Sequence, residues 1–278
     1  MGDNPAITSR DNALAKHARA VRDGRVREQI FIEGVRLCEE AASAALNIED
    51  VVYTEKLAQE ERGARLLDDL RSASKRTALV SESVFASLSD TRTPQGIVAL
   101  ASKPETNRSA FLRNASETPL IVILHRVNNP SNAGSVLRAA EASGASGAIL
   151  TEGTTDIFSP KALRGSMGSS FRLPLWTGAE FGEAVNWCKE RGVRTVCADL
   201  RAGSAHTEID WTGPSALIVG AEAAGLTPAE IAQADEALRI PMRAPVESLN
   251  VAVAAAIVLY EAARQRAVVS GQWPVVSD

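Results

Sequence analysis

The sequence predicts an α/β protein of two domains, and three observations carry that expectation. Short apolar runs alternate with longer helical patterns along the whole chain. A polar, proline-bearing stretch begins at 102 and carries on to Pro119, interrupting the alternation once. Beyond it, an apolar strand is repeatedly followed by a polar turn and then a helix, the order that builds a mostly parallel sheet with helices on both faces. At 278 residues both domains can bury a core. We place a small α/β domain at 1–102, a linker at 103–118, a larger domain at 119–270 and a tail at 271–278.

In the first domain the patterns predict helix 11–22, strand 29–32, helix 35–45, strand 51–54, helix 57–74 and strands 77–81 and 96–101. In the second they predict strand 119–124, helix 135–143 closed by Gly144, strand 148–150 and a short helix after Pro160. Helix 179–191 and strands 195–198 and 216–220 follow. Thr227 and Pro228 then start a helix over 228–234, and strand 237–240 precedes a final helix from 251. From Val251 to Tyr260 that helix is apolar nearly all round, so it needs two burying surfaces. Its alanines, 252 and 254 to 256, permit close approach by another chain.

Bulk properties narrow the function. Hydrophobic content of 45% with 23% charge is that of a globular protein. The longest apolar run is far shorter than the roughly 20 residues that span a bilayer, and the start lacks an export pattern, so a cytoplasmic protein without a membrane role is expected. Cys38, Cys188 and Cys197 lack metal-ligand spacing and read as reduced packing residues; no metal is expected. A net charge of −4 argues mildly against nucleic acid. Distribution matters more, and base is concentrated in Arg10, Lys16, Arg19, Arg22, Arg25 and Arg27, and again in Lys161, Arg164 and Arg172. Solvated helix faces would explain the same pattern. A nucleotide-dependent oxidoreductase is disfavoured because no G-x-G-x-x-G follows a strand with an acidic residue at the right distance.

Three segments carry the chemistry: NNPSNAGSVLRAA at 128–140, IVGAEAAGL at 218–226, and IPMRAPVESLNVAVA at 240–254. Taken in order, they resemble the three motifs of the SpoU (TrmH-like) branch of the SPOUT RNA methyltransferases. Segment 158–174 is similar to one that ribosomal-RNA members carry after motif one. The runs around Asn12, Lys16 and Gly34 and over 81–99 resemble the family's small substrate-binding domain, similar in fold to RNA-binding ribosomal proteins. Asn129, Ala139, Ala223 and Ala252 depart from the family's usual Asp, Thr, Gly and Ser.

The resemblance implies a C-terminal SPOUT domain with a trefoil knot, a homodimer formed across the last helix, and transfer of a methyl group from S-adenosylmethionine to a ribose 2′-hydroxyl. Large-subunit rRNA is the expected substrate. A tRNA methyltransferase and a non-catalytic RNA-binding assembly factor are the alternatives. Gly220, Ile240, Met242 and Leu249 are the expected cofactor contacts, Gly220 by admitting the ligand close to the backbone. Arg138 is the expected catalytic arginine; since a guanidinium resists deprotonation, its defensible role is to bind phosphate and stabilise the developing oxyanion. Asn132 orients phosphate or ribose, or is a turn residue. Glu222 holds its loop or fixes Arg138. Ser248 and Asn250 contact ligand, cap the last helix, or do both. His125 is a possible proton acceptor, though such a residue is more often structural. Arg10, Lys16, Arg126, Lys161, Arg164 and Arg172 are the expected RNA contacts.

Overall fold

In the computed structural model, residues 5–112, 118–221 and 225–271 are described. The chain divides into two compact units, one formed by 1–104 with 157–172 and the other by 105–156 with 173–278. The segment 157–172 thus belongs to the N-terminal unit, although its sequence lies inside the larger predicted domain.

The N-terminal unit contains α1 (Ala13–Arg22), β1 (Gln29–Glu33), α2 (Val35–Ser43), β2 (Ile48–Thr54), α3 (Glu55–Gln59), α4 (Glu61–Ala73), β3 (Ser74–Val80), α5 (Glu82–Leu88) and β4 (Ile97–Ser102). Its sheet runs β1-β4-β2-β3; β4 is antiparallel to both neighbours and β3 is parallel to β2. The single helix expected over 57–74 is two helices broken at Glu60. Gly63 permits the break, because a Cβ there would lie 2.2 Å from the Leu57 carbonyl oxygen. α5 was not expected. It is short, and the Ser81 hydroxyl caps it by accepting from the Val84 N–H.

Glu33, buried at the end of β1, fixes the loop after α5 by accepting from Thr91 Oγ1 at 2.9 Å, the Asp90 N–H at 2.8 Å and the Ser89 hydroxyl. The inserted piece supplies α8 (Pro160–Ser166) and α9 (Ser169–Arg172). Ion pairs Arg164–Asp90 (2.7 Å) and Arg172–Glu40 tie it down.

The C-terminal unit carries α6 (Arg108–Leu112), β5 (Leu120–Leu124), α7 (Pro130–Ala142), β6 (Gly147–Thr151), β7 (Leu175–Ala179), α10 (Phe181–Glu190), β8 (Arg194–Ala198), β9 (Ser204–Ala205), β10 (Ser215–Val219), α11 (Pro228–Ile231), β11 (Glu236–Arg239) and α12 (Val251–Ser270). The seven strands lie in the order β7-β6-β5-β10-β8-β11-β9, every pairing parallel. β5, β6 and β10 are buried along their whole length, as the apolar runs require. β7 and the two-residue β9 are edge strands with no such run, which is why the sequence did not reveal them.

Ile121, Ile123, Ile149 and Ile218 pack with Phe181 and Trp187 on one face of this sheet. α12 packs on α7 and β10. It buries Ala255, Val258, Leu259, Ala262 and Ala263, yet leaves Val253 49% and Tyr260 47% exposed. No helix among the described residues is long and apolar enough to cross a membrane. The three thiols are buried and unpaired as disulfides; burial pushes Cys38 and Cys188 up to about 12 and Cys197 to about 11, far from thiolate chemistry.

Candidate active site

The carboxyl ends of β10, β8 and β11 open into a cavity of about 560 Å³, within the range of small-molecule sites. Its position is that of ligand crevices in parallel α/β sheets. Gly220 follows β10, Ile240 and Met242 follow β11, and Ser248 and Leu249 precede α12; all five line the cavity. Leu226 and Leu238 add apolar wall. The loop after β8 supplies Asp199, Leu200 and Arg201, which the motifs did not flag. A residue just beyond a strand's carboxyl end was the available signal, since Asp199 directly follows β8.

Gly220 is required by packing. A Cβ there would approach the Gly225 carbonyl carbon to 2.9 Å and Leu226 to 3.1 Å, so the bend closed by Gly225 N–H donating to Ala221 O (2.9 Å) tolerates only glycine without a shift. Gly225 itself sits at φ +61°. Glu222 lies outside the described residues.

The first and third motifs meet directly. Asn250 caps α12, its Oδ1 accepting from Ala252 N–H at 2.9 Å and Val253 N–H at 3.4 Å, while its Nδ2 donates to Asn132 Oδ1 at 3.2 Å. The cap and bridge are therefore one side chain. Asn129 caps α7 in the same way, accepting from Ser131 and Asn132 N–H, with Pro130 in the first turn. Ser248 and Asn250 are exposed.

Arg138 is six residues along α7 from Asn132, roughly 9 Å of rise and about 120° of rotation away. It is exposed, and its side chain makes no hydrogen bond or ion pair among the described residues. It shares a solvent-facing row with Ser135 and Ala142, opposite the buried Ala133, Val136, Leu137 and Ala140. The geometry thus joins Asn132 to Asn250 and leaves Arg138 outside the cavity lining.

Of the expected RNA contacts, Arg10 and Lys161 are exposed. Lys16 pairs with Asp11 at 3.0 Å, Arg126 with Glu230, and Arg164 and Arg172 with the carboxylates named above. The Lys16 pair is open to water and contributes little to stability. His125 is buried, with both ring nitrogens engaged.

A parallel α/β unit with a crevice at its carboxyl edge, walled by a glycine bend and the segment leading into α12, is the architecture of a small-molecule site. Residues 119–260 match the SpoU rRNA Methylase family, and residues 12–99 match the MRM3-like substrate binding domain. The protein belongs to the SpoU rRNA Methylase family. It is 32% identical to the 23S rRNA (guanosine(2553)-2′-O)-methyltransferase RlmP of Bacillus subtilis, covering 83% of this chain and 86% of that one. It is 30% identical to a 23S rRNA (uridine(2479)-2′-O)-methyltransferase of Streptomyces viridochromogenes, over 94% and 92% of the two chains. The AdoMet-bound rRNA methyltransferase of Sinorhizobium meliloti superposes with a TM-score of 0.82 at 28% identity, covering 95% and 98%.

Proposed function

We propose that this protein transfers the methyl group of S-adenosylmethionine to a ribose 2′-hydroxyl of large-subunit rRNA. The observation that carries the reading is one cavity walled by residues of motifs two and three and joined to motif one through Asn250 and Asn132. The donor set fits the cofactor: Leu226, Ile240 and Leu249 offer an apolar slot for an adenine, and Ser248, Asp199 and the glycine bend offer polar groups for ribose and amino-acid ends. When bound, the cofactor supplies an electrophilic methyl group. The chain's own task is to hold the acceptor oxygen in line with it, which makes positioning the dominant contribution.

Arg138 serves the acceptor side. Its guanidinium clamps the phosphate next to the target ribose and stabilises the developing oxyanion, the proton passing to water or a neighbour. Arg10, Lys16, Lys161, Arg164 and Arg172 on the N-terminal unit and Arg126 on the C-terminal unit contact RNA phosphates, the four that are paired by exchanging their carboxylates.

A homodimer belongs to this reading. The exposed row of Val253 and Tyr260 on α12 is a second apolar face, and Arg138 points away from its own core; association over α12 would deliver the arginine to the partner's cavity. A trefoil knot belongs to it as well. β11 lies between β8 and β9, so the short link between those two strands passes beside it, and the loop after β11 returns to α12 against α7 and β10. Action on ribosomal RNA supports a cytoplasmic location.

Titration calorimetry tests the cofactor claim. The protein is expected to bind S-adenosylmethionine and its demethylated product, and Gly220→Ala to weaken both about tenfold, because roughly 1.4 kcal/mol is a modest penalty for displacing a packed backbone. No heat with either ligand would favour an RNA-binding factor without catalysis.

A further inference from the structure

Three loops leaving the carboxyl edge of the seven-stranded sheet are fastened to one imidazole. His125 directly follows β5, and its backbone N–H donates to Val219 O of β10 at 2.9 Å. Its Nδ1 lies 2.9 Å from Thr151 Oγ1 at the end of β6, and its Nε2 lies 3.0 Å from Glu230 Oε1 on α11. The Phe181 ring covers it, with centroids 4.4 Å apart. A carboxylate only accepts, so Nε2 carries the proton toward Glu230 and Nδ1 accepts from the Thr151 hydroxyl.

Glu230 extends the chain of contacts in both directions. Its Oε2 accepts from the Thr227 N–H at 2.7 Å, completing a capping box, and Thr227 directly follows Leu226 of the cavity wall. Its Oε1 also receives the Arg126 guanidinium. Arg126 stands at φ +53°, a backbone conformation uncommon for a residue with a side chain. That bend sends the chain into Val127, whose carbonyl accepts from Thr155 N–H at 3.0 Å, and on to Asn129, Asn132 and α7. A continuous set of bonds therefore runs from the Leu226 wall through Glu230 and His125 to the turn before Asn132. It returns to the cavity through Asn250.

We propose that His125 is a positioning residue that locks the Leu226–Thr227 wall of the cofactor cavity to the motif-one turn, so that cofactor binding and RNA binding strengthen each other. This rests on the methyltransferase reading above. Such coupling is reciprocal, and typical values are about 5–150-fold in affinity. The charged groups facing the imidazole are Glu230 from α11, Arg126 from its own loop and Glu180 from the start of α10. Burial holds the imidazole below the usual histidine range, helped by Arg126 and opposed by Glu230 and Glu180.

The sign of the pH effect follows. A base whose folded pKa is depressed contributes its stability fully above the unfolded value of about 6.5, and loses it as pH falls below that value towards the folded one. The melting temperature of the wild type is expected to fall more between pH 7.5 and pH 6 than that of His125→Gln.

Equilibrium dialysis with radiolabelled S-adenosylhomocysteine, with and without unmodified in vitro transcribed 23S rRNA, tests the proposal on the full-length protein. In the wild type the rRNA is expected to tighten the ligand at least about fivefold. In His125→Ala the ligand alone should bind within about threefold of wild type, with the rRNA effect lost and kcat lowered about tenfold at little change in KM for the cofactor. These ratios correspond to about 0.7 and 1.4 kcal/mol. His125→Gln, which keeps an N–H donor for Glu230, should recover part of the coupling. Unchanged coupling in a folded His125→Ala protein overturns the proposal, as does a wild type without coupling. A wild type that fails to bind the ligand at all would instead overturn the methyltransferase reading.

Discussion

Arg138→Ala is expected to lower turnover by about 10²–10³-fold, the usual consequence of removing one preorganised donor from a developing oxyanion. Affinity for S-adenosylmethionine should change little, since Arg138 does not line the cavity. Arg138→Lys keeps the charge and loses the planar fork, so it should recover only a small part of the rate. Full turnover in the lysine variant would argue against bidentate phosphate recognition. The same variant tests association. If the arginine acts in the partner's cavity, mixing Arg138→Ala with Gly220→Val protein under conditions of subunit exchange restores activity. One of the two sites in each mixed dimer then has both an intact cavity and an intact arginine. Arginine and cavity acting within one chain would give no recovery.

Arg266→Met is expected to destabilise the protein by about 1.5–3 kcal/mol, the usual loss when charge-assisted hydrogen bonds from a half-buried guanidinium are removed. The guanidinium has four carbonyl acceptors: Trp211 O at 2.8 Å, Thr118 O at 2.7 Å, Gly213 O at 2.7 Å and Pro119 O at 3.2 Å. Burial pulls its pKa down, but an arginine remains charged at any ordinary pH. Beside it, Gln265 accepts from the Trp211 N–H at 2.8 Å and donates to Ile209 O at 2.9 Å, with Trp211 fully buried beneath. Together the two side chains clasp α12 to the amino-terminal edge of the sheet, the end away from the cavity. At roughly 2–4 °C per kcal/mol, Arg266→Met should lower the melting temperature by about 3–12 °C. A shift under 3 °C would mean that the carbonyls find water instead. Methionine preserves the apolar stem, so the variant separates the hydrogen bonds from packing.

The central strands were legible because residues 120–124 and 215–219 are buried on both faces, and continuous apolar runs follow from that burial. β7 was not legible: Leu175, Trp176, Thr177, Gly178 and Ala179 form no run, and an edge strand needs none. The break between α3 and α4 depends on one close approach, of Gly63 to the Leu57 carbonyl, which no periodicity records.

At the site, Gly220, Ile240, Met242, Ser248 and Leu249 line one cavity because each stands at a strand end or a helix start, positions that sequence patterns mark. Contacts that depend on distant parts of the chain escaped the reading. His125 and Glu230 are 105 residues apart, and Arg266 reaches carbonyls 53 to 148 residues away. The expected basic track met a different limit. Four of its six cations already hold carboxylates, which composition does not reveal.

Mass-spectrometric mapping of ribose methylation in 23S rRNA, made in vitro and incubated with the protein and S-adenosylmethionine, tests the central claim most directly. The account predicts a methyl group on a ribose 2′-oxygen, abolished by Gly220→Val and strongly reduced by Arg138→Ala. A methyl group on a base, or none on any ribose, would contradict it.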